Sequence, residues 1–154
     1  MTRGGNLPDA GPRGPEPDRA AAPDPAAAAV QARGFPAELD SVRAARHFVT
    51  GLLNAGPDDH GGDAAIVATE LAANAVLHAR SGFMLTVSRS ASAVRIAVRD
   101  GGPLACRDGG LPFDVRHGHG LSVVSQLASG WAVEGLPDGK VVWAEIPWDD
   151  SRQR

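Results

Sequence analysis

Glu70-Leu71-Ala72-Ala73-Asn74-Ala75-Val76-Leu77-His78 sets a carboxylate, a carboxamide and an imidazole at four-residue intervals in an otherwise apolar segment. At that spacing an α-helix stacks the three side chains on one side. The neighbours Ile66, Val67, Ala68, Leu71, Ala72, Ala75 and Val76 read as core. A polar row on so apolar a helix needs partners, because burying an unpaired carboxylate is costly. Those partners are either protein groups or a bound metal and its ligand.

Outward from this segment the chain divides into elements. The central helix is expected over residues 63–78, with Gly82 beyond its end. Before it, Asp40 or Ser41 caps a helix running to about residue 54, with Val42, Ala45, Phe48, Val49 and Leu52 on the buried side. A short edge strand over 30–35 precedes that helix and stops at Pro36, and Gly56-Pro57-Asp58-Asp59 is a loop. After the central helix come two strands, 83–89 and 93–99. In these Phe83, Leu85 and Val87 alternate with Met84, Thr86 and Ser88, and Val94, Ile96 and Val98 with Arg95, Ala97 and Arg99. Residues 100–120 form a Gly-rich loop too long to be a mere connection. A third helix over 121–128 ends at Gly130. Strands 131–134 and 140–146 then flank the turn Pro137-Asp138-Gly139. The order predicts an α+β fold: a two-layer sandwich with about three helices on one face of a mixed, largely antiparallel sheet.

Composition narrows the class. In 154 residues, 43% apolar content is enough for one domain with a core. A net charge of −3 gives no strong pull toward nucleic acid or a membrane surface. No apolar run approaches ~18 residues, so no segment is expected to span a bilayer. Cys106 is the single cysteine, so no internal disulfide is possible and a reducing compartment is the simpler expectation. No apolar h-region accompanies Arg3, so no signal peptide is expected and the cytoplasm is the expected location. Residues 1–28 are rich in Ala, Pro and Gly with few large apolar side chains. Ordering each residue costs ~1–2 kcal/mol of backbone entropy, and this segment has little to bury in return. It is expected to be a disordered tail, with 29–148 as the folded domain and 149–154 as a polar C-terminal tail.

Three motifs carry chemistry. Glu70 and Asn74, one turn apart, can divide labour at a metal–phosphate site: the carboxamide oxygen is a hard ligand suited to Mg²⁺, and the carboxylate can orient or deprotonate a hydroxyl or water. Alone, such a pair reads as a surface Glu with Asn and His near a helix end. In Val98-Arg99-Asp100-Gly101-Gly102-Pro103 a strand ends in an Asp followed by two glycines. That Asp can accept a hydrogen bond from an exocyclic amine, and the glycines let backbone approach a flat ring; an ordinary Asp-Gly turn reads the same way. Gly118-His119-Gly120-Leu121 stands before the third helix, where small residues expose backbone N–H groups to an anion. A hinge before a helix is the plainer account of that motif alone.

Taken in this order and spacing, the three motifs resemble the ATP-binding domain shared by gyrase, heat-shock chaperone, histidine kinase and mismatch-repair ATPases, the Bergerat or GHKL fold. The match is nearest to its small bacterial branch, the anti-sigma-factor serine/threonine kinases and their regulatory relatives. It covers about residues 35–147, and Glu70-Leu71-x-x-Asn74-Ala75-x-x-His78-Ala79 is its most specific part. The resemblance implies ATP and Mg²⁺ as ligands, Glu70 as the catalytic carboxylate, and Asn74 as the Mg²⁺ ligand. It further implies that Asp100 reads the adenine amine, that Gly102 gives the ring room, and that Gly118 and Gly120 present the third helix to the phosphates. His78, His119 and Leu121 complete the nucleotide-side positions, and 103–117 is the lid. It implies a sigma factor and a protein antagonist as partners, and a homodimer. The alternative is an ATP-binding interaction module without phosphotransfer. The chain departs from the family's Asp-x-Gly-x-Gly at Leu104, which bears on the start of the lid.

Other candidates read as structural. Arg107 and Arg116, in the lid segment, could meet phosphate oxygens, but solvated loop charges are the expected reading of each. His60, His117, His119 and Cys106 lack the paired spacing of a zinc site. Lys140, beside a terminal hairpin turn, is expected in solvent. Trp131, Trp143 and Trp148 are expected to pack the sheet.

Overall fold

The computed structural model describes residues 29–53, 61–103 and 120–147. The tails expected at 1–28 and 149–154 and most of the Gly-rich loop lie outside them.

Strand periodicity and helix periodicity sort the chain into two layers. Strands β1 (Ala29–Phe35), β2 (Phe83–Arg89), β3 (Ala93–Asp100), β4 (Gly130–Leu136) and β5 (Gly139–Pro147) form one sheet in the order β1-β2-β3-β5-β4. Every pairing is antiparallel, so the described sheet lies wholly at the antiparallel end of the expectation. Helices α1 (Leu39–Leu53), α2 (Gly61–Asn74) and α3 (Gly120–Leu127) supply the second layer. The architecture is the α+β sandwich expected from the order of elements.

The core lies between the layers. Leu85, Val87, Val94, Ile96, Val98, Val142, Ala144 and Ile146 meet Ala45, Val49, Val67, Ala68, Leu71 and Val124 there. Branched residues suit the pleated face, and the alanines of α2 let that helix lie close to the sheet. An aromatic cluster ties β1 to the rest. Phe35 stacks on Phe83 at 5.2 Å between centroids, and meets Phe48 of α1 edge-on at 6.2 Å. The opposite face of the sheet carries ion pairs: Arg95 pairs with its cross-strand partner Glu145 at 3.1 Å, and Arg99 with Asp138 at 3.1 Å.

Ile66 departs from its expected place in the core, being 37% exposed. Residues Ala64, Val67, Ala68, Leu71 and Ala72 fill the sheet-facing side of α2, so Ile66 falls on the flank. Glu70 and Asn74 follow it at four-residue steps on that same flank.

Candidate functional site

The helix bearing Glu70 and Asn74 does not end as an α-helix. Residues Ala75–Ala79 form a π-turn, closed by the backbone N–H of Arg80 donating to the Ala75 carbonyl. Ser81 N–H also points to that carbonyl, at 3.5 Å. Arg80 takes the left-handed conformation, with φ 51° and ψ 37°, which is uncommon outside glycine. The expected alignment of Glu70, Asn74 and His78 is therefore broken after Asn74. Bonds that span five residues instead of four widen the turn and rotate later side chains off the row. Glu70 and Asn74 are half-buried, whereas His78 is exposed. The carboxamide nitrogen of Asn74 is buried and has no hydrogen-bond partner in the protein.

The π-turn delivers Ala79 and Ser81 to the end of β3. Ser81 Oγ accepts the Gly101 N–H at 2.9 Å and donates to the Gly82 carbonyl at 3.0 Å. A Cβ built on Gly102 would stand 2.6 Å from Ala79 Cβ and 2.9 Å from Lys140 Nζ. The space beside Gly102, expected to accommodate a ring, is on this side occupied by the protein's own groups. Asp100, Gly101 and Gly102 thus form a corner stitched to the end of the helix that carries Asn74.

Asp100 itself is 5% exposed. Its Oδ1 accepts the Gly102 N–H at 2.8 Å, the short loop-closing bond that Asp makes two residues ahead. The same Oδ1 accepts from Lys140 Nζ at 2.8 Å. Lys140 is 1% exposed, which corrects the expectation that it lies in solvent. The cause is register. The hairpin turn starts β5 so that Lys140 is the cross-strand partner of Asp100, and β5 is an interior strand flanked by β3 and β4. Side chains of such partners share a face and meet. Gly139 permits the approach, since a Cβ there would overlap the Asp100 carbonyl oxygen.

Of the sequence-predicted residues, the structure brings Asp100 and Gly102 to the foot of the helix bearing Glu70 and Asn74. Gly118 and His119 lie outside the described residues, as do Leu104, Cys106, Arg107, Arg116, His117, His60 and Trp148. Gly120 opens α3 and Leu121 follows it; α3 packs on α2. Trp143 packs on the sheet, with Arg95 over its ring at 4.3 Å, while Trp131 is 38% exposed. Ser81 and Lys140 are the residues that the motif reading passed over. The pairing of β3 with β5 is the signal that finds Lys140.

Among the described residues no group of three or more His, Cys, Asp or Glu could hold a metal. A single carboxamide with an unpartnered buried nitrogen is a poor transition-metal site, but it fits Mg²⁺, which takes one or two protein oxygens and completes its shell with phosphates and water. Oxygen and nitrogen of an amide are interchangeable by a flip.

Residues 35–146 match the family described as the histidine kinase-like ATPase domain. Comparison with curated proteins returns no match. Among solved structures, the RsbU and RsbW domains of Rv1364c from Mycobacterium tuberculosis superpose with a TM-score of 0.60 at 18% sequence identity. The likeness covers 77% of this chain and 32% of that one, so the present chain spans about a third of its neighbour's length.

Proposed function

The chain belongs to the histidine kinase-like ATPase domain family, and from that premise we propose that it is an Mg-ATP-dependent regulatory kinase of the anti-sigma-factor type. It transfers the γ-phosphoryl group of ATP to a Ser or Thr of a protein antagonist, and it sequesters a sigma factor. ATP binding is what the domain implies. The observation that carries the reading is the corner at Asp100. A buried carboxylate is flanked by two glycines: the N–H of Gly101 bonds Ser81, just past the helix bearing Glu70 and Asn74, and Gly102 has no room for a side chain.

Each residue has a part. Asp100 accepts from the adenine amine, a charge-assisted bond of about 1.5–3 kcal/mol. Asn74 would hold Mg²⁺ through its carboxamide oxygen. Bound Mg²⁺ neutralises charge on the phosphate oxygens. The N-terminus of α3, at Gly120, faces the phosphates with its free N–H groups. Glu70 receives the proton of the acceptor hydroxyl while that oxygen bonds the γ-phosphorus. The bond to the β-phosphate oxygen breaks, and ADP leaves. Catalysis rests on positioning and charge neutralisation, with Glu70 assisting the nucleophile.

A second reading keeps the nucleotide but not the transfer: ATP held as a ligand that switches partner choice. Leu104, in place of the family's second glycine, favours it. One experiment separates the two. ATP is titrated with and without Mg²⁺, and labelled ATP is then incubated with candidate antagonists and either the native chain or Glu70→Ala. The kinase reading expects the variant to bind ATP as the native chain does and to lose transfer; equal transfer removes Glu70 from the chemistry. Binding without transfer by the native chain selects the module.

A further inference from the structure

We propose that Lys140 is the positioning residue for base recognition: it fixes Asp100 by one oxygen so that the other accepts the exocyclic amine of a 6-aminopurine. The inference rests on the reading of Asp100 as the residue that faces the base.

Two donors converge on one oxygen. Lys140 Nζ and the Gly102 N–H both reach Oδ1 at 2.8 Å. Among the described residues no donor is found on Oδ2. A carboxylate held twice through one oxygen cannot rotate about its side-chain bonds without breaking both contacts, so the direction of Oδ2 is set by the protein. Charge-assisted bonds of this length are the strong ones. An ionised carboxylate is acceptor-only. Held in place, it favours a ring that presents an amine and opposes one that presents an oxo group at the same position, as guanine does.

The cost of the arrangement points the same way. The side chains of Lys140 and Asp100 are 1% and 2% exposed. Lysine is almost never so buried unless paired, and an apolar pair of similar volume commonly stabilises a fold as well or better. A return other than stability is therefore called for. Lys140 is the only lysine in a chain of 15 basic residues. Its Nζ sits so close to Gly102 that a Cβ there would be 2.9 Å away. A compact ammonium occupies the space that the missing side chain of Gly102 leaves open.

The test measures ATP and GTP affinity by calorimetry for the native chain, Lys140→Met, Asp100→Asn and the double variant Asp100→Asn/Lys140→Met. Lys140→Met is expected to lose about tenfold or more in ATP affinity and to narrow the ATP-over-GTP preference by a similar factor, the equivalent of one charge-assisted bond. Acting through Asp100 alone, it adds nothing once Asp100 is changed, so the double variant matches Asp100→Asn. A folded Lys140→Met with the native preference overturns the inference, and so does a double variant that is worse than Asp100→Asn. If Lys140→Met fails to fold, the unaltered protein decides. The ¹⁵Nζ resonance of Lys140 is expected to shift on saturation with ATP, and a resonance that stays put overturns the inference. Failure of the native chain to bind ATP at all would instead overturn the functional reading on which it rests.

Discussion

Gly102 leaves no room for a methyl group. Its missing Cβ would stand 2.6 Å from Ala79 Cβ and 3.0 Å from Ala79 Cα, a backbone atom that cannot step aside as a flexible side chain could. Gly102→Ala is therefore an overpacking change, and we expect it to destabilise the fold by ~1–3 kcal/mol in urea unfolding. It should also separate Lys140 from Asp100, because the new methyl competes with Nζ for the same space. A Gly102→Ala chain as stable as the native one would mean that the corner is looser than its distances indicate. Asn74 carries the opposite kind of signal. Its carboxamide nitrogen is buried without a partner, so the side chain gives the fold little that an alanine would forfeit. Asn74→Ala should then leave the melting temperature nearly unchanged and flatten the Mg²⁺ dependence of ATP binding. An unaltered Mg²⁺ dependence would remove Asn74 from the metal.

The element that joins these residues is the π-turn at Ala75–Ala79. It holds one residue more than an α-turn would, and that residue determines which atoms reach β3: Ala79 against Gly102, and Ser81 Oγ on the Gly101 N–H. Leu77, 55% exposed, lies in the turn and contributes little burial. Deleting Leu77 should let the turn close as an α-helix, with the sheet and helix content preserved in circular dichroism. The register of Ala79 and Ser81 would shift by one, releasing Gly101, and we expect ATP affinity to fall by about tenfold. Full affinity in the deletion would show that the turn does not serve the site. Nothing local announces this turn, because Ala75, Val76, Leu77, His78 and Ala79 carry no breaker and read as ordinary helix. Strands are different. The alternation of Phe83, Leu85 and Val87 with Met84 and Thr86 was legible because one face must be buried, and a slip of one residue would expose the whole set. The buried pair of Asp100 and Lys140 was not legible from either residue. A lysine after Pro137-Asp138-Gly139 has the local look of a solvent charge, and only the pairing of β3 with β5 across forty residues of sequence brings it inside.

At the scale of the molecule, the proposed site draws on both layers. Glu70 and Asn74 belong to the helical layer, Asp100 and Lys140 to the sheet, and α3 packs on α2 over the core residue Val124. A ligand that engages all of these binds only the folded chain, so its binding energy adds to the stability of the whole domain by mass action. With ATP and Mg²⁺ at a hundred times the dissociation constant, the gain is ~2.7 kcal/mol. For a domain of about this size that corresponds to a rise in melting temperature of roughly 10 °C. The pattern across conditions is the sharper test. ATP with Mg²⁺ should raise the transition most, ATP with a chelator less, and GTP least, each as one cooperative step because helices and sheet share a single core. A second transition, with part of the chain melting at its ligand-free temperature, would mean that the nucleotide engages one layer only, and the joint site built from Asn74 and Asp100 would fail with it.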